Sequence, residues 1–459
     1  MKILILTLCV LSFVLAARDA DLLGAPLPGC TNDNFRQYSG YLDVTEDKKF
    51  HYVFVESQND PANDPLLFWF NGGPGCSSMI GFIQEHGPCA FLEDSDHEPQ
   101  DNPYSWNNWA NIVYLESPAG VGYNFYNGHY EYDDDNVSYE NLKAVQSFFE
   151  GFPEYSNHNL YLSGESYGGI YIPYLALRID EHNANSNDHI NLKGFLIGNG
   201  VTNWKYDCGP AFMKMGLTHG LINIDLANRI ENSGCDFAEQ GSGKQPDECY
   251  SLMREFDDAV SHVYPYDIYR PPEEYYQTPA PQKSISDLIR MESDSQVENV
   301  YGGFSRLVKK NMKKNSNDFS PVNKYMNADD TKAALNIPAN YFWEECSNID
   351  YEMLDEASQW IYPKLKGKYR MLHYSGTTDG VVPTVGTEGW MKDLGWKVTT
   401  KRKAWLSEPL ILGGYTESRE GNLDFLTIHG TGHMAPQWKR HEAYLALSSW
   451  VLEKDLPRS

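Results

Sequence analysis

The stretch "NLYLSGESYGGIYIPYLALRI" (159–179) constrains the chain more than any other. An apolar run of strand type is followed at once by a tight turn and then by an amphipathic helix. Gly164 and Gly168 bracket Ser166. Small residues are required there because a strand–turn–helix that presents a nucleophile is strained and close-packed. A glycine-lined turn with an idle serine is the bland alternative, and the strand before and helix after argue against it.

The rest of the chain repeats the same alternation. Strand-type runs occur at 52–55, 66–70, 111–117, 159–164, 192–200, 369–376 and 423–430. Several are nearly continuous in apolar residues, as strands covered on both faces are. Between them Leu142, Val145 and Phe149 share one helical face, and Ala443, Leu447, Trp450 and Val451 share another. Alternation of this kind predicts an α/β fold with a mainly parallel sheet and helices on both sides. Residues from about 204 to 320 break the rhythm with three cysteines, a Tyr/Pro-rich piece ("YPYDIYRPPEEYYQTPAPQ") and a basic patch ("RLVKKNMKK"). Because strands resume at 369, the region reads as an insertion between two halves of one sheet rather than as an independent domain. The basic patch reads equally as an exposed processing site or as a solvated helix face.

The N-terminal "MKILILTLCVLSFVLAARDA" has the charge, length and small-residue exit of a secretory signal peptide, assigned to residues 1–16. Its apolar run is shorter than the ~20 residues of a membrane span, and no later stretch is long and apolar enough to be one. The formal net charge of -26 argues against nucleic acid as a partner, since phosphate binding needs concentrated Lys and Arg. Beyond the signal, Cys30, Cys76, Cys89, Cys208, Cys235, Cys249 and Cys346 show no metal-ligand spacing, so no metal or cofactor is expected. In an oxidising compartment they form disulfides, and an odd count leaves one over. Asn136 opens an N-glycosylation sequon, Asn136-Val137-Ser138.

A serine hydroxyl needs a base to take its proton, and the usual base is a histidine oriented by a carboxylate. After a strand–turn–helix nucleophile the partners follow in the order acid, then histidine. "HYSGTTDGVVP" places Asp379 just past a strand, and "IHGTGHMAPQ" places His433 in a Gly-rich loop past another. His429 competes but sits at the strand end. "FWFNGGPGCSS" (68–78) runs from a strand into glycines whose freed N–H groups can face a developing oxyanion. Gly73 is assigned there with the N–H of Tyr167, the residue after the nucleophile.

"WFNGGPGCSS", "ESPAGVGY", "GESYGGIYIP", "NGVT", "SGTTDGVVP" and "GTGHMAPQ" together resemble the serine carboxypeptidase family, in its order, and most closely the cathepsin A-like lysosomal or vacuolar type. The likeness runs from about Phe35 to the C-terminus and is weakest between 204 and 340. It implies an α/β-hydrolase fold with core residues 17–203 and 321–459 and a mostly helical cap at 204–320. It also implies a Ser166–Asp379–His433 triad that removes single residues from peptide C-termini through an acyl-enzyme, in acid. The expected destination is the secretory pathway, ending in a lysosome or vacuole or outside the cell.

By the same resemblance, Trp69, Asn71, Gly72, Glu85 and Glu165 bind the substrate's terminal carboxylate. Two nearby, buried carboxyls favour the neutral form and donate hydrogen bonds only when protonated. Met434 lines the pocket of the leaving residue. Cys76 is expected to bridge Cys346, and Cys235 to close a local loop with Cys249; Cys30, Cys89 and Cys208 are left unassigned. The chain departs from the family pattern at Thr377, Glu116 and Thr431, none of which is a triad group. The resemblance leaves two alternatives, an acyltransferase using the same Ser166, or a mainly protective or binding role in a lysosomal complex. A homodimer is left open.

Overall fold

A computed structural model describes residues 20–92, 98–238, 246–271 and 320–457. The signal segment, "RLVKKNMKK" and most of the Tyr/Pro-rich piece lie outside the described residues.

Ten strands order the sheet: β1 (Gln37–Thr45), β2 (Lys48–Val55), β3 (Leu66–Phe70), β4 (Asn111–Leu115), β5 (Leu160–Glu165), β6 (Leu192–Gly198), β7 (Arg370–Gly376), β8 (Val398–Glu408), β9 (Ile411–Arg419) and β10 (Leu423–Ile428). They lie side by side as β1-β2-β4-β3-β5-β6-β7-β10-β9-β8, with the short strand Phe125–Tyr126 added on β2. The six strands from β4 to β10 in that order are parallel. The two edges are antiparallel. This is the α/β-hydrolase arrangement.

The alternation of side chains along a strand divides the core in two. Leu66, Phe68 and Phe70 of β3 point into one apolar layer, and Leu67 and Trp69 into the other. The first layer is roofed by α1 (Asp134–Gly151) and α2 (Gly168–Asn185), through residues such as Val145, Phe148, Ile170 and Ile172. Asp133 caps α1 in a reciprocal capping box with Asn136, so the sequon asparagine sits in the first helical turn. The second layer is closed by α7 (Arg440–Val451), through Ala443, Leu447 and Val451.

Between β6 and β7, which pair directly, the chain leaves the sheet. Helices α3 (Gly209–Thr218), α4 (Ile224–Asn232) and α5 (Asp247–Ala259) build a small apolar core of their own around Phe212, Leu226, Leu252 and Phe256. Helix α6 (Thr384–Asp393) follows β7.

Among the described residues, disulfides join Cys30 to Cys89, Cys76 to Cys346 and Cys235 to Cys249, and Cys208 is buried. Among the described residues no helix is long and apolar enough to cross a membrane.

Candidate active site

Parallel strands carry their following loops at one edge of the sheet, and binding sites of such sheets form there. Phe70 pairs with Gly164 and Gly376 with Ile428, so β3, β5, β7 and β10 end nearly level. The loops beginning at Asn71, Ser166, Thr377 and His429 therefore share one rim.

Ser166 stands in the left-handed region, φ 61°, between the last residue of β5 and the first turn of α2. Its neighbours explain why glycine flanks it. A Cβ on Gly164 would meet the Phe70 carbonyl oxygen at 2.7 Å. A Cβ on Gly72 would sit 2.4 Å from the Tyr167 nitrogen, so the loop after β3 lies directly against the turn. The turn is pinned by its backbone, with Ser166 N–H donating to Gly198 O (3.0 Å) and Val201 N–H donating to Ser166 O (3.0 Å).

His433 Nδ1 is 2.8 Å from Asp379 Oδ2, and both residues are buried. Asp379 also accepts from Asn199 Nδ2 (2.7 Å) and from the N–H groups of Val381 (2.7 Å) and Val382 (3.1 Å). Four donors hold this carboxylate in one orientation in a site without bulk water. Ser166 and His433 line the same cleft without a hydrogen bond between them, as is frequent before a substrate draws such groups together. Asn71, Gly72, Gly73, Glu165 and Met434 line it too. His429 is exposed, its N–H bonded to Gly413 O.

Trp69 and Glu85 stand behind the cleft wall. Trp69 Nε1 donates to Asn71 Oδ1 (2.7 Å), as does the Gly81 N–H (2.9 Å), which aims the amide Nδ2 at Glu85 Oε1 (3.2 Å). Glu85 ends a short π-helix, Gly81–Glu85. Glu85 Oε2 and Glu165 Oε2 are both buried and, as carboxylate oxygens, have no donor. The two side chains are hydrogen-bonded to each other, which requires one of the carboxyls to carry a proton. Burial raises Glu85 to about 7, against smaller opposing effects of Asn71, Glu165 and Arg440. Burial, then the nearby Glu85 charge, drives Glu165 well above the ordinary carboxyl range.

A serine carboxypeptidase family model matches residues 28–453, nearly the whole chain. The chain belongs to the serine carboxypeptidase family. It is 34% identical to the lysosomal protective protein of Mus musculus over 95% of this chain and 94% of that one. It is 32% identical to serine carboxypeptidase-like 20 of Arabidopsis thaliana over 89% and 88%. A prohormone-processing carboxypeptidase from Saccharomyces cerevisiae has the same fold, with a TM-score of 0.72, 19% identity and coverage of 95% and 96%. The chain is thus an enzyme of the serine carboxypeptidase type.

The sequence assigns no role to several groups around the site of this serine carboxypeptidase. Tyr266, from the stretch after α5, accepts from the His433 N–H (2.7 Å), and Pro265 O accepts from the Gly380 N–H (2.8 Å). Asp267 Oδ1 accepts from Thr378 Oγ1 (2.7 Å). One short stretch of the insertion thus clasps both the Asp379 and the His433 loops. Arg440 donates to the carbonyls of Gln84, Glu85 and Phe91 and holds the π-helix. Glu116, one of the departures noted above, uses both oxygens: Oε1 accepts from Ser77, and Oε2 from His51 Nδ1 (2.8 Å) and the Tyr123 N–H (2.8 Å). Thr377 Oγ1 accepts from the Gly430 N–H (3.0 Å). Asn199 belongs to "NGVT", a motif quoted above without a role. Among the described residues one grouping could offer three ligand atoms to a metal, the exposed His129, Glu131 and Asp350, and none of them lines the cleft.

Proposed function

We propose that this enzyme is an acid exopeptidase that removes one residue at a time from peptide C-termini. The observation that carries this reading is the buried acid pair, Glu165 and Glu85, set with Asn71 beside Ser166. A peptide end brings a carboxylate, and only donors can hold it. Protonated Glu165, the second Nδ2 hydrogen of Asn71 and the Gly72 N–H are donors. Trp69 and Glu85 act from behind by orienting Asn71 and sharing the proton.

With the carboxylate held, the scissile carbonyl lies over Ser166. Ser166 Oγ attacks as His433 Nε2 takes its proton, and Asp379 stabilises the imidazolium through Nδ1. The oxyanion is held by the N–H groups of Gly73 and Tyr167. His433 returns the proton to the leaving amine, whose side chain rests against Met434. Water, activated by the same histidine, then frees the shortened peptide from the Ser166 ester. Residues 17–203 and 321–459 form the catalytic core and 204–320 the cap. An acid working range suits the lysosome-like end of the secretory pathway, where disulfides also persist.

The sign of the pH effect follows from the acid pair. As pH rises through about 7, Glu85 and then Glu165 lose their protons, and a carboxylate comes to face the substrate's carboxylate. Peptide KM then climbs, by roughly tenfold per pH unit once the proton is leaving. Amide-capped or ester substrates bring no carboxylate and change less. KM measured from acid to mildly alkaline pH for both substrate kinds is the test. Identical profiles would remove the acid pair from substrate binding.

A further inference from the structure

We propose that the pocket for the leaving residue selects a cationic side chain, Lys or Arg, at the peptide C-terminus. This rests on the carboxypeptidase reading above and names its substrate class. The cleft that holds Ser166 and His433 is also lined by Glu344 and Glu345, and no Lys or Arg among the described residues lines it.

The position of Glu345 assigns it to the leaving residue. Its neighbour Cys346 is bonded to Cys76, and its carbonyl accepts from the Ser77 N–H (2.9 Å), so it sits on the loop that follows β3. Its Oε1 accepts from Gln84 Nε2 (2.9 Å), and Gln84 directly precedes Glu85 of the carboxylate anchor. The terminal carboxylate and the terminal side chain hang from one Cα. A side chain whose carboxylate is held at Asn71 and Glu165 must therefore fall within a few bond lengths of that anchor, in the cleft that Glu345 also lines.

The remaining walls match the stem of such a side chain. Ile80, Phe342 and Met434 line the cleft and offer apolar surface. Lys and Arg bury an aliphatic stem against such surface and carry their charge at the far end. Burial raises the Glu345 carboxyl above its ordinary value, against the bond from Gln84. A bound ammonium or guanidinium supplies the opposite charge that this acid lacks among the described residues of the cleft lining.

The test uses the full chain and N-blocked dipeptides with Phe fixed first and Lys, Arg, norleucine or Glu last. Norleucine has the lysine stem without its charge. The expected kcat/KM for Lys over norleucine is roughly two- to fivefold, the range of one partly screened ion pair. Glu345→Gln, which can still accept from Gln84, should bring that ratio toward one, and Glu345→Lys should turn selectivity toward Glu. A native ratio at or below one, with norleucine released, overturns the inference and leaves the carboxypeptidase reading standing. A native ratio that Glu345→Gln and Glu345→Lys both leave unchanged overturns the assignment to Glu345. Release of no dipeptide at all sinks the carboxypeptidase reading and the inference with it.

Discussion

Glu165 adjoins Ser166, and on the function proposed above its protonation state decides what the cleft can hold. It is hydrogen-bonded to a second acid in a buried site, so the neutral form is favoured by burial and by Glu85 together. Glu165→Gln keeps a donor at that position at every pH. The expected result is a peptide KM near neutrality within about threefold of its acid value, where the native enzyme's has risen several-fold more. KM against pH for the two enzymes measures it, and parallel curves would move the titration elsewhere. Ser166, Asp379 and His433 were legible because each sits in a turn whose glycines and strand context announce a loop at the sheet rim. Asn199, Tyr266 and Arg440 were not, because a hydrogen bond to a distant loop leaves no local pattern. The packing of Gly72 against the Tyr167 nitrogen has no local pattern either, since only the fold brings those two turns together.

The element that shapes the proposed carboxylate anchor is the π-helix Gly81–Glu85, and its clamp is Arg440 at the start of α7. The guanidinium fork donates to three carbonyls, two of them at the end of that helix. Arg440→Ala leaves these acceptors without donors, a loss of about 1–3 kcal/mol. Because the helix carries Gln84 and Glu85, peptide KM should rise more than kcat falls, and amide exchange over 81–86 should accelerate. A lower melting temperature with KM and exchange unmoved would make Arg440 a purely structural clamp. The same scale shows why strands were read unevenly. β3 and β4 are buried throughout and spelled in apolar residues. The hairpin β8–β9 escaped notice because β8 is an edge strand, mostly exposed and rich in Lys and Arg, so its hydrophobic pattern is nearly erased. A π-helix has no sequence period of its own to recognise.

Across the whole molecule the buried acids and buried histidines pull stability in opposite directions as pH changes. Burial raises Asp21 to about 6, Glu85 to about 7 and Asp207 to about 7. A carboxyl raised in the folded state stabilises it fully below its unfolded value, near 4, and that stabilisation is lost as pH climbs through the folded value. His86 and His373 are buried and neutral, and burial lowers His373 to about 3 and His86 well below its ordinary value. Each costs stability as pH falls below about 6.5, because the unfolded chain gains a proton that the folded chain refuses. Between mildly alkaline pH and about pH 5 the acids, Glu165 among them, outnumber the two histidines. Acid also reduces the self-repulsion of a chain with net charge -26. The expected net gain on acidification is on the order of 2 kcal/mol, a rise of about 2 °C in melting temperature for a chain of this size. The acids go on gaining until pH nears their unfolded value, about 4, while the histidines cost throughout, so the optimum lies a little above pH 4. Thermal unfolding across this range tests the balance, and Glu85→Gln with Glu165→Gln should flatten the acid rise. A melting temperature that falls steadily from pH 7.5 to 5 would show that the buried histidines, and not the acid pair beside Ser166, govern the molecule in acid.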